Sequence, residues 1–163
     1  MLKNNLNHTC ILYAPDATAE IMGAPNSPNI HGSVRFYQTD KGVLVSAEIY
    51  GLPTSYSKCS NDIFAFHIHD GNSCTGTATT PFADTKSHYN PQNCPHPSHA
   101  GDLPPLFSNG GYAWMKVLTD RFTVTDIVGK TILIHSSSDD FTSQPAGNSG
   151  IKIACGVIQT ART

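Results

Sequence analysis

The segment IFAFHIH, residues 63–69, constrains this chain more than any other. In an extended strand successive side chains point to opposite faces. Phe64, Phe66 and Ile68 then share one face, suited to a core, while Ala65, His67 and His69 share the other. Short β-rich runs of the same kind alternate with turn formers along the rest of the chain: TAEIMG, NIHGSVRFYQ, GVLVSAEIYGLP, LPPLF, YAWMKVLT, TILIHS and IKIACGVIQ. Asp40-Lys41-Gly42 and Asn109-Gly110-Gly111 read as turns between neighbouring strands. No segment of about ten residues or more carries a helical period, and no internal repeat is visible.

The expected fold is therefore all-β: an eight-stranded Greek-key β-sandwich or flattened barrel with two long loops, residues 70–101 and 136–151. Loops of that length inside a compact domain usually carry function or are disordered. Residues 1–16 lack a clear period and are expected to form an N-terminal arm, leaving 17–163 as one domain.

Composition narrows the function. Charged residues make only 13% of the chain, against about 25% in an average soluble domain. The net charge of −2 and the absence of a basic run exclude nucleic acid and an anionic membrane surface as natural partners. No apolar stretch approaches the roughly 20 residues of a membrane span. The N-terminus, MLKNNLNHTCILYAPD, is too weak for a secretory signal, so the expected compartment is the cytoplasm, with an exported form left open. Five cysteines leave at least one unpaired within the chain.

Histidine is concentrated instead. Of eight histidines, His67, His69, His88, His96 and His99 fall in one window, and His135 ends a second apolar run. A His-x-His strand puts two imidazoles on one face about 6 to 7 Å apart, enough to hold one metal ion from the same side; alone, they are two ordinary surface histidines. A (β/α) barrel hydrolase needs about 250 residues and alternating helices, and an HxHxDH hydrolase motif is absent, because Asp70, Gly71 and Asn72 follow His69. His88, His96, His99 and Asp102 supply three nitrogens and one oxygen, the donor set of a tetrahedral zinc site. Pro91, Pro95 and Pro97 stiffen the backbone between them. His67, His69 and His135 with one imidazole from the loop make a four-nitrogen set that suits copper. If the shared imidazole is His88, its two ring nitrogens serve one metal each.

FHIHDGNSCTG, HYNP, HAGDLPPL, IHSSSDD and GNSGIKIACGVI, in that order, resemble the motifs of the copper/zinc superoxide dismutase family over roughly residues 17–158. The resemblance implies copper ligands at His67, His69, His88 and His135, zinc ligands at His88, His96, His99 and Asp102, and His88 as a bridging imidazolate. It further implies a carboxylate at Asp139 bonded to His67 and His96, and a disulfide between Cys74 and Cys155 worth about 2 to 4 kcal/mol. Cys10, Cys59 and Cys94 have no counterpart; a Cys59–Cys94 pair and a free Cys94 thiol both stay open. The implied reaction is dismutation of superoxide, a small-molecule substrate, by copper cycling between Cu(II) and Cu(I).

Three departures follow. Lys152 stands where the family has an arginine that holds the anion. The loop 136–151 is shorter than the family's electrostatic loop, and so is the interval between His96 and His99. A dismutase slower than its relatives is expected. The alternative is a copper/zinc-binding protein that buffers or delivers copper with little turnover. Family members dimerise through different faces, so a homodimer stays open.

Overall fold

The computed structural model of the chain describes residues 14–55 and 62–161. Its strands are β1 (Ala17–Gly23), β2 (His31–Thr39), β3 (Gly42–Tyr50), β4 (Ile63–His69), β5 (Asp102–Phe107), β6 (Ala113–Thr119), β7 (Thr131–His135), β8 (Lys152–Val157) and the two-residue β9 (Gln159–Thr160). They form one antiparallel sheet in the order β5-β4-β7-β8-β1-β2-β3-β6, with β9 beside β1. Its two ends, β5 and β6, touch without sharing a ladder, so the sheet curls into a nearly closed barrel. The eight expected strands are all present, and the chain crosses the barrel between β3 and β4 and between β6 and β7 as a Greek key requires.

The two-residue period sets which side chains fill the barrel. Val43, Val45, Ala47 and Ile49 of β3, Val34 and Phe36 of β2, and Phe64, Phe66 and Ile68 of β4 are buried in the central cluster. Gly110 and Gly111 take φ of 60° and 87° between the paired Asn109 and Tyr112, the left-handed turn that glycine adopts without steric cost. Pro104 and Pro105 sit in β5, a terminal strand of the ladder, where a missing N–H costs least. One short helix, α1 (Val124–Ile127), was not expected; its signal is the capping box of Thr123 and Asp126.

In β4 and β7 both faces are buried, whereas the alternation predicts only one. The second face lies under the long loops. There Leu133, Ala24, Phe82 and Cys155 form a smaller apolar cluster against Cys74. The Cys74–Cys155 disulfide is formed, with a sequence separation of 81, and fastens the loop after β4 to β8. Closing so long a loop restricts the unfolded chain by about 4 kcal/mol on the chain-entropy model. Denaturant unfolding of the metal-free double variant Cys74→Ser/Cys155→Ser is accordingly expected to show a loss of that order; an unchanged midpoint would count against it. Cys94 carries a free, half-buried thiol, while Cys10 and Cys59 lie outside the described residues, as does most of the expected arm. Asp16 is bonded into the sheet, its N–H donating to Phe36 and its carboxylate accepting from the Gln38 N–H.

Candidate metal centre

Strand alternation and two loops bring six histidines together. His67 and His69 project from the outer face of β4, and His135 ends the neighbouring β7. His88 is drawn to the same place by an isolated bridge with His69. All four rings are buried, with centroids of His67 and His88 4.1 Å apart and those of His69 and His135 5.4 Å apart. Behind them His96, His99 and Asp102 surround the other side of His88, and Asp102 pairs with His67 in the β4–β5 ladder. Each set of four, His67/His69/His88/His135 and His88/His96/His99/Asp102, offers ligand atoms all within 4.8 Å of one another.

Accounting for the ring nitrogens shows what each set is fit to hold. His67 Nε2 and His96 Nε2 each donate to Asp139, to Oδ2 and Oδ1 respectively at 2.9 Å, so one carboxylate joins the two sets. His69 Nδ1 donates to the Lys86 carbonyl at 2.9 Å, which leaves its Nε2 as a lone pair 3.3 Å from His135 Nε2. His88 Nδ1 lies 2.7 Å from Asp102 Oδ1 and 3.3 Å from His99 Nδ1. The remaining buried nitrogens, His67 Nδ1, His88 Nε2 and His96 Nδ1, have no hydrogen-bond partner. His96 Nδ1 is 3.0 Å from Asp102 Oδ2, near enough for attraction yet outside hydrogen-bond alignment. Buried polar atoms are almost always paired. Unpaired nitrogens and facing lone pairs, converging in two groups, fit two cations.

Electrostatics agree. Burial pushes His67 below the usual imidazole range against the pull of Asp139, and burial with the neighbouring His88 and His135 pushes His69 well below it. His135 falls to about 3, chiefly by burial and then by His67 and His88. At neutral pH these rings are uncharged donors, the form that binds metal. Burial raises the Asp139 carboxyl, but hydrogen bonds from His67, the Phe141 N–H and His96 outweigh it and bring it to about 2. Asp102 is likewise lowered against burial, by its hydrogen bond to His88 and by the surrounding imidazoles. Both carboxylates are therefore ionised where the cations would sit.

A cavity of about 710 Å³ opens on this face, lined by His69, His88, His135, Lys86 and Lys152 among others. The half-buried Lys152 ammonium donates to Thr85 Oγ1 at 2.7 Å, to the Lys86 carbonyl at 3.1 Å and to the Phe82 carbonyl at 3.3 Å. Burial lowers its pKa. The Lys86 carbonyl thus receives both Lys152 and His69.

A family model for copper/zinc superoxide dismutase matches residues 30–158, most of the chain. The chain belongs to the copper/zinc superoxide dismutase family. Among curated relatives, copper-zinc superoxide dismutase 2 of Aquifex aeolicus (strain VF5) is 33% identical over 143 residues, 78% of each chain. The copper-zinc superoxide dismutase of Legionella pneumophila is 32% identical over 154 residues, 90% of this chain and 88% of that one. That of Deinococcus radiodurans is 30% identical over 166 residues, 91% and 86%. Copper and zinc are the cofactors that the family and the two donor sets together indicate.

The seven residues expected as donors lie together in the two sets, Asp139 is hydrogen-bonded to His67 and His96, and the Cys74–Cys155 disulfide is formed. Four contacts had no sequence signal. Gly147, at φ 66°, packs so closely that a Cβ there would fall 1.9 Å from Asp139 Oδ1. Thr85 receives Lys152, Gln144 pairs with the His96 backbone, and Arg121 reaches the loop between His99 and Asp102. Among the described residues no helix is long and apolar enough to cross a membrane.

Proposed function

We propose that this chain dismutes superoxide through a copper held by His67, His69, His88 and His135 and a zinc held by His88, His96, His99 and Asp102. Two superoxide anions and two protons become dioxygen and hydrogen peroxide. The observation that carries this is a pair of buried donor sets sharing His88, beside a cavity that also holds a cation, Lys152. Copper, when bound, supplies the one-electron reduction and reoxidation.

The chain's own residues do the rest. Lys152 places a positive charge on the wall of the cavity and draws the anion toward the histidines. His88 lines the cavity, and its unpartnered Nε2 is the atom to hold and release a proton for the peroxide product. Asp139 fixes the rings of His67 and His96 by accepting from both. The rival role, copper buffering or delivery, draws no support from relatives named as dismutases.

Turnover below that of arginine-bearing relatives follows from Lys152. Its three N–H donors are all engaged by Phe82, Thr85 and Lys86, so the ammonium acts on the anion as a charge with no spare hydrogen. Arginine has five donors in a planar fork. Lys152→Arg can keep the loop contacts and still present two donors to the anion; one charge-assisted bond of about 1.5 to 3 kcal/mol predicts a gain of roughly tenfold or more in kcat/KM. Superoxide decay measured by pulse radiolysis on copper- and zinc-loaded protein tests both parts. Decay at the background rate in the wild type and in Lys152→Arg would sink the enzyme, and an active wild type that Lys152→Arg does not accelerate would sink the account of Lys152.

A further inference from the structure

The turn from His96 to Asp102 must aim His96, His99 and Asp102 at one point although only Pro97 and Ser98 separate the two histidines. Its internal bonds are few: the Ser98 N–H donates to the Pro95 carbonyl at 2.8 Å, the Asp102 N–H to the His99 carbonyl at 3.2 Å, and the His99 N–H to Asp102 Oδ2 at 3.1 Å. Two side chains from elsewhere grip the same backbone. Gln144, in the loop after β7, accepts the His96 N–H at 3.0 Å and donates to the His96 carbonyl at 2.7 Å. Arg121, after β6, brings one nitrogen, Nη1, to the carbonyls of Pro97, His99 and Asp102 at 3.3, 3.2 and 3.1 Å.

We infer that Gln144 and Arg121 are positioning residues for the set His88, His96, His99 and Asp102: two clamps that hold a short turn in the shape its ligands need. This rests on the zinc assignment proposed above. The geometry is specific. A side-chain amide bonded to both the N–H and C=O of one residue fixes its backbone in position and orientation, as a neighbouring strand would, and that residue is His96. With its Nε2 on Asp139, His96 is held at both ends by the loop 136–151.

Arg121 works from the opposite side. The Nη1 group has two hydrogens for three carbonyls, so it gathers their negative ends around one cation instead of forming three separate linear bonds. Turning the carbonyls of His99 and Asp102 toward the guanidinium orients the backbone that carries those two ligands. Both Gln144 and Arg121 are exposed, so truncating either leaves the core intact.

The test is zinc release from zinc-loaded protein into excess chromogenic chelator, for wild type, Gln144→Leu, Arg121→Met and Arg121→Lys, with the visible spectrum of each protein carrying cobalt(II) in place of zinc. Outer-shell partners are worth about 10- to 100-fold in metal affinity. Release is expected to accelerate by that order in Gln144→Leu and Arg121→Met, with altered cobalt bands, and to recover in part in Arg121→Lys. Thermal midpoints of the metal-free proteins should stay together. Unchanged release and spectra overturn the inference while leaving the zinc assignment standing. Equal destabilisation of the metal-free variants also overturns it, since the contacts would then be merely structural. A wild type that retains no zinc overturns the ligand assignment, and the clamps with it.

Discussion

A His88→Ala variant is expected to lose both metals and to decompose superoxide no faster than background. His88 is the one residue common to the two donor sets. Its Nδ1 faces Asp102 and His99, and its buried Nε2 has no hydrogen-bond partner. Removing it takes a donor from both sets at once. Since loss of an outer-shell partner alone costs about 10- to 100-fold in metal affinity, loss of a ligand from both sets costs each site more than that. His135→Ala provides the contrast, because His135 belongs to one set only. Metal analysis after dialysis should find neither metal in His88→Ala, and zinc without copper in His135→Ala. Equal loss of both metals in the two variants would overturn the division into two sites that meet at His88.

Asp139→Asn is expected to weaken copper and zinc together, with the barrel intact. The carboxylate accepts from His67 on one oxygen and from His96 and the Phe141 N–H on the other. An amide of the same shape keeps one acceptor and turns a donor toward the other ring. One histidine must then abandon the tautomer that leaves its Nδ1 free to hold a metal. The expected loss is about 10- to 100-fold in affinity at both sites, read by competition with chelators of known strength. The far-ultraviolet spectrum should be unchanged, because Asp139 is in a loop. If only one metal weakens, Asp139 does not link the sites energetically, whatever its hydrogen bonds.

The fold was legible because its signal is local. Phe64, Phe66 and Ile68 alternate with His67 and His69, and in a strand that alternation assigns faces without reference to any other residue. The same property made the clustered donor residues legible by type, since six histidines and an aspartate in such a chain point to a common purpose. The burial of both faces of β4 and β7 was not legible. It depends on how the loops fold over the barrel, which no two-residue period encodes.

Other features escaped for a related reason. Gln144 and Arg121 act on backbone atoms of residues 48 and about 20 positions away, and a backbone carbonyl has no sequence identity to match against. Thr85 meets Lys152 where the disulfide, the second apolar cluster and backbone bonds to Asp70 and Gly71 hold that loop near β8. Gly147 is required by the nearness of Asp139, a contact invisible before the loop is closed.

By itself the sequence determined which residue types are available and on which side of a strand they stand: an antiparallel barrel, seven residues of metal-donor type, and a lysine three positions before Cys155. The tertiary structure decided which nitrogen of each imidazole is free, that Asp139 spans both sets, and that the three hydrogens of Lys152 are already taken. The reason is physical. Strand alternation is fixed by covalent geometry along the chain, whereas the tautomer of a ring and the saturation of a donor are fixed by whichever atoms folding brings within about 3 Å.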